Sequence, residues 1–241
     1  MDVKSSQNSK IKTKKNHDDW YLGHRERVKN KFIQNFNSSH NCDELLELIL
    51  FFTIPRKDVK PLAKKLLQEY NSLPELISLP IEDLEKIAEI SKNTALLFKI
   101  IKSISSHILK KDLYKKPIIQ NWQQLLDYCY VDLALEKKEY LKLLYLNNKH
   151  YLIKDIMLQE GTINHAPIYP REIIKKALDI GATSFILIHN HPSGDQTPSD
   201  QDILITSKLA TAAKLFDITL LDHLIISKNG ITSFKNHGLI P

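Results

Sequence analysis

Cysteine, methionine and tryptophan occur only twice each in 241 residues, and glycine only six times. The two cysteines, Cys42 and Cys129, lie far apart and without metal-type spacing, which excludes a disulfide framework and a thiolate metal site. A reduced, cytoplasmic setting with both thiols buried is the expectation. No run approaches about eighteen uncharged apolar residues, so a membrane-spanning helix is excluded. The first residues, Met1 to Asn16, are polar and lysine-rich and lack the apolar stretch of a secretory leader. What the chain does have is a hydrophobic fraction of 42%, enough for packed cores, and a length that suits two modest domains.

Charge is divided unevenly. Residues 1–118 carry 22 Lys and Arg against 15 Asp and Glu, a net of +7, whereas residues 119–241 carry 12 against 13, a net of −1. Any attraction to nucleic acid therefore lies in the first half. Within it, residues 1–16 hold five lysines and one aspartate, so +4 of the excess sits in a segment that reads as a disordered, solvated tail covering residues 1–18. Residues 19–112 read as wholly helical. Asp43 to Phe52 is a capped, mostly buried helix, and Asp58 caps a second through Leu62, Ala63, Leu66 and Leu67. Pro80 opens a third with Leu84 and Ile87 on one face. From Asn93 to Leu109 the residues Leu97, Ile100, Ile101, Ile104 and Ile108 recur at three and four, the pattern of a long amphipathic helix.

Residues 110–117 have the polarity and terminal proline of a linker. Beyond it, Asn121 and Gln124 form a capping-box pattern before a helix carrying Trp122, Leu125, Leu126, Cys129 and Leu133. Tyr140 to Leu146 and Tyr151 to Leu158 read as a hairpin around Asn147 and Asn148. Pro170 starts a helix that Gly181 ends, and a second hairpin turns at Lys228-Asn229-Gly230. Strands interrupted by helices, with a hairpin at each end, make a mixed α/β sandwich.

The densest chemistry lies between these hairpins, in His189-Asn190-His191-Pro192-Ser193-Gly194-Asp195 and Ser199-Asp200-Gln201-Asp202. Ser184 to Ile188 is a short apolar run that reads as a buried strand. If the extension persists through His191, the two histidines at i and i+2 point to one side. Pro192-Ser193-Gly194 then breaks the strand, and Ser199 opens a helix whose first turn carries Asp202. Two imidazoles and one carboxylate, with room for water, make a zinc site of the catalytic type. Ser199 and Asp202 alone also fit a plain capping arrangement, serine accepting from helix amides and the acid suiting the positive N-terminus.

His-x-His, seven residues, Ser, two residues, Asp resembles the signature of JAMM (MPN-type) zinc metalloproteases, and the wider string resembles the bacterial RadC family. The resemblance extends to Glu160-Gly161-Thr162-Ile163-Asn164-His165, Tyr169-Pro170-Arg171-Glu172, Leu221-Asp222-His223-Leu224 and Gly238-Leu239-Ile240. In the first half it includes Gly23-His24-Arg25-Glu26-Arg27 and Ile54-Pro55-Arg56-Lys57-Asp58. It implies an α/β fold: a mixed-sheet JAMM/MPN (cytidine-deaminase-like) metal-binding domain over 119–241, preceded by a small all-α helix-hairpin-helix-like domain over 19–112. It implies a Zn2+ cofactor held by His189, His191 and Asp202, with Glu139 as general base and Ser199 sharing an oxyanion with the metal. Glu136, one helical turn earlier, competes with Glu139; Glu160 and Glu172 rank below both. Asn190 and Ser193 read as loop-shaping residues, and His165 and His223 either lie near the cleft or are satisfied structural histidines.

The implied activity is zinc-dependent metallopeptidase or isopeptidase-type hydrolysis of an unknown peptide or protein. The alternative is a non-catalytic DNA-associated or scaffolding protein linked to DNA repair. Hairpins that grip DNA backbone use a glycine-rich turn whose amides approach phosphate closely. Here the turn reads Ile90-Ser91-Lys92-Asn93-Thr94-Ala95, without glycine, which favours a structural helical domain and only weak nucleic-acid binding. The letters His-Asn-His also suggest an HNH nuclease, but in that motif the three residues are dispersed over a ββα unit and not adjacent.

Overall fold

The computed structural model describes residues 18–160 and 169–241; residues 1–17 of the expected tail and His165 lie outside this range, and Asp18 is already helical. The chain divides into two compact units, Met1–Leu73 and Pro74–Pro241. Among the described residues no helix is long and apolar enough to cross a membrane.

In the first unit α1 (Asp18–Gln34), α2 (Cys42–Thr53) and α3 (Lys60–Tyr70) pack around Leu46, Leu50, Leu62, Ala63 and Leu66. The end of α2 leaves carbonyls without helical partners, and Arg25 of α1 supplies donors, 2.6 Å from the Ile54 oxygen and 2.6 Å from that of Lys57. The two sequence strings singled out in this half therefore meet in one arginine. Asp58 does not cap α3, whose N-cap position falls on Val59, but it accepts from the Lys60 amide at 3.0 Å. Cys129 is buried, but Cys42 is exposed, contrary to expectation: as the first residue of α2 it lies on a solvent-facing turn.

The second unit opens with α4 (Leu73–Ser78), α5 (Ile81–Leu84) and α6 (Lys92–Leu113). The stretch 110–117 is not a free linker, since α6 runs through its first four residues and packs along α7 (Trp122–Leu133). A domain boundary near 112–119 would thus fall inside this unit. Ser91 caps α6 by accepting from the Thr94 amide at 3.2 Å. The face of α6 turned inward is not the aliphatic stripe: Ala95, Phe98 and Leu113 are buried, while Ile100, Ile104 and Ile108 are exposed. Asn121 stands before α7 but makes no capping bond, and its Nδ2 is buried without a partner, so the expected capping box is absent.

Five strands form one sheet in the order β2-β1-β3-β4-β5, with β1 (Tyr140–Leu146), β2 (Leu152–Glu160), β3 (Ser184–Asn190), β4 (Thr219–Ser227) and β5 (Gly230–Ser233). Only β3 and β4 run parallel. In the β1–β2 turn Asn147 accepts from the amides of Lys149 and Tyr151, while the positive φ falls on His150. Strand alternation sends side chains to two cores. Leu144, Leu146, Ile186 and Ile188 face α7; Leu143, Tyr145, Phe185 and Leu187 face α8 (Pro170–Asp179) and α9 (Asp200–Lys214). Continuing the alternation, His189 belongs to the α9 side and Asn190 to the α7 side.

Candidate metal centre

His189 lies near the end of the buried run of β3, which closes at Asn190, and is fully enclosed. The chain then turns, held by the His191 amide donating to the Ile226 oxygen of β4 at 2.9 Å. At Gly194 the backbone adopts φ +90°, and a Cβ there would meet the Lys228 and Asn229 side chains at 2.8 and 3.0 Å. Asn229 also donates to the Gly194 oxygen at 2.9 Å, so the β4–β5 turn backs the loop. This places Asp195 with its carbonyl 2.7 Å from His191 Nδ1.

The capping box at Ser199 and Asp202 forms in full: Ser199 Oγ accepts from the Asp202 amide at 3.2 Å, and Asp202 Oδ2 accepts from the Ser199 amide at 2.8 Å. Ser199 Oγ also donates to Asp202 Oδ2 at 2.6 Å. Capping and metal binding are therefore not alternatives. The cap engages Oδ2 and orients the carboxylate, while Oδ1 lies 3.3 Å from His189 Nε2.

Hydrogen bonds fix the tautomers. Thr206 Oγ1 donates to the Asp202 carbonyl at 2.5 Å, which spends its only proton. The same oxygen must then accept from His223 Nδ1, 2.6 Å away. That leaves His223 Nε2 as an acceptor for His189 Nδ1–H at 2.7 Å, and His189 Nε2 with a free lone pair. Likewise the Asp195 carbonyl can only accept, so neutral His191 presents its own Nε2. The two Nε2 atoms are 2.8 Å apart, and His191 Nε2 is 3.6 Å from Asp202 Oδ2.

These separations test the fit of zinc. Tetrahedral bonds of about 2.0–2.1 Å put neighbouring ligand atoms about 3.3 Å apart; the two Nε2 atoms are 2.8 Å apart, His189 Nε2 is 3.3 Å from Asp202 Oδ1, and His191 Nε2 is 3.6 Å from the other carboxylate oxygen, Oδ2. His189, His191 and Asp202 are the cluster of metal-binding type among the described residues. Lone pairs and a carboxylate this close attract positive charge. The neighbouring Asp202, with smaller help from the Asp195 carbonyl and the charge of Glu139, raises the pKa of His191. Burial alone would push Asp202 up, but the two imidazoles and Ser199 outweigh it and hold the carboxyl well below its usual range. His223 is shifted the other way, far below the ordinary histidine value, by burial and then by the charge of His189, so it stays neutral.

Glu139 lies in the turn between α7 and β1, at the end of the sheet where Leu141 pairs with His189. Glu136 is paired with Lys102 of α6 and lines a cavity of about 440 Å³ between α6 and α7. Glu172 is exposed on α8 and bonded to Arg171. Sequence reasoning overlooked Thr206, although its place four residues after Asp202 puts it on the same helix face, and it left the role of His223 open. The described sheet and helices α7–α9 coincide with a match to the family model for the RadC-like JAB domain, which spans residues 119–239. The matched segment is about half of the chain and holds both histidines, Asp202 and Glu139, and this chain belongs to the RadC family.

Proposed function

We propose that the protein is a zinc-dependent hydrolase of amide bonds, of peptidase or isopeptidase type. The observation that carries this reading is the convergence of two histidine lone pairs and one carboxylate, each oriented by a hydrogen-bonded partner, beside a segment bearing Glu139. Zinc bound there would act as a Lewis acid and bring a water pKa from about 16 towards ~7.

The chain's own residues supply the rest. Glu139 takes the proton of the attacking water and delivers it to the departing amine. Ser199, whose proton is directed at Asp202 in the resting arrangement, turns it to the oxyanion that forms on the carbonyl. His223 and Thr206 keep His189 in the metal-binding tautomer. Glu136 is turned to Lys102 and the cavity between α6 and α7, which makes it the weaker candidate for the base. With free thiols at Cys42 and Cys129 we assign the protein to the cytoplasm.

Zinc-reconstituted protein assayed against a peptide library, with and without chelator, tests the reading. Glu139→Gln should keep fold and zinc and lower turnover by about 10²–10⁴-fold, whereas Glu136→Gln should leave it near wild type. Loss confined to the Glu136 variant would move the base, and full activity in both would reject the mechanism.

A further inference from the structure

Asn190 separates the two histidines, and its side chain is fully buried on the opposite side of β3. Its Oδ1 accepts from the Tyr140 amide at 2.7 Å. Its Nδ2 donates to the Lys138 oxygen at 2.9 Å and approaches the Glu136 oxygen at 3.5 Å. The β1–β3 ladder ends at the Leu141–His189 pair, so β1 has already left β3 at Tyr140. A primary amide carries the same acceptor and donor as a peptide group, and here it serves as one further rung. Lys138 and Tyr140, the two residues it grips, flank Glu139. An aspartate would lack the donor, a serine would lack the second polar atom, and a leucine would fill the space and leave these main-chain groups unpaired.

We propose that Asn190 is the positioning residue for Glu139, so that one strand end sets metal ligands on one face and the base segment on the other. This rests on the hydrolase reading above. Each hydrogen bond adds only modestly to stability. Placement matters more, since displacement of a reacting group by about 1 Å can cost roughly 10² in rate. Just upstream of the clamp, Lys102 holds Glu136 and Lys137 holds Asp83 of α5, so the approach to the turn is tied as well.

The test uses the full chain carrying Asn190→Ala or Asn190→Asp, each also combined with Glu139→Gln. Amide hydrogen exchange, which requires no substrate, should show Tyr140 exchanging roughly tenfold faster or more in Asn190→Ala, with Leu143 and Leu187 unchanged. Asn190→Asp, which retains the acceptor and the volume, should keep Tyr140 protected. Both variants should bind zinc stoichiometrically and lose about 10² in kcat at unchanged KM, and neither should lower the turnover of Glu139→Gln further. Unchanged exchange at Tyr140 in Asn190→Ala, or losses that add to that of Glu139→Gln, would overturn the proposal. Full turnover in Asn190→Ala beside an inactive Glu139→Gln overturns Asn190 alone; full turnover in Glu139→Gln overturns the hydrolase base and the role of Asn190 with it.

Discussion

Asp202 performs two tasks with two oxygens. Oδ2 closes the helix cap with Ser199, and Oδ1 looks toward His189. Its carboxylate is thereby fixed before any ligand arrives, because the cap restricts the rotamer. Behind it His223 is buried and neutral, which has a consequence for pH. With its folded pKa far below the unfolded value of about 6.5, the unfolded chain takes up a proton that the native state refuses. Stability from this group is present above pH ~6.5 and is lost as pH falls below it, by up to about 1.4 kcal/mol per pH unit. His191 has the opposite sign: its raised pKa gives stability that is complete below pH ~6.5 and lost as pH rises through the folded value. Urea unfolding of chelator-treated protein from pH 5 to 7.5 should therefore show an acid limb that flattens in His223→Gln, whatever that variant's absolute stability. An identical acid slope in both proteins would show that His223 is protonated in the native state.

At the scale of elements, the loop from His191 to Ser199 depends on Gly194, because φ +90° is strained for any residue with a Cβ. Gly194→Ala should cost about 1–3 kcal/mol in denaturant unfolding and weaken zinc binding, since the Asp195 carbonyl that orients His191 follows directly. Unaltered zinc affinity would mean that His191 is oriented without that carbonyl. Most of these elements were legible from local signals: the apolar run of β3, the Ser199–Asp202 cap, the Asn147 turn, and the Pro170 and Gly181 ends of α8. The convergence of His189, His191 and Asp202 was legible for the same reason, since they lie within fourteen residues of one another. What local pattern could not show depended on tertiary neighbours. Asn121 had the sequence of a cap, but a 3-10 turn at Ile118–Asn121 carried its side chain elsewhere. The aliphatic period of α6 was real, yet two adjacent stripes compete for the inward face, and Ala95 and Phe98 took it. Asn190 looked like a loop residue because its partners lie about fifty positions earlier in the chain.

Along the whole sequence, charge and the candidate site occupy different stretches: the net of +7 lies in residues 1–118 and the cluster that could hold a metal beyond them. Ser91, in the glycine-free turn, is already engaged in capping α6. Nucleic-acid binding should therefore be weak, fall steeply with salt, and decline by most of its value when residues 1–16, with five lysines, are deleted. Salt-dependent fluorescence anisotropy on labelled duplex checks this, and sequence-specific nanomolar binding by residues 20–112 at physiological salt would contradict it. A last consequence comes from β3, which is apolar and buried on both faces from Phe185 to Ile188. Hydrophobic burial is then nearly indifferent to a slip of one position against β1, but such a slip would turn Asn190 toward α9 and both imidazoles toward α7. The polar end of the strand thus acts as a proofreading mark for its own alignment, and the residues proposed to hold the metal are also those that make a misaligned sheet costly.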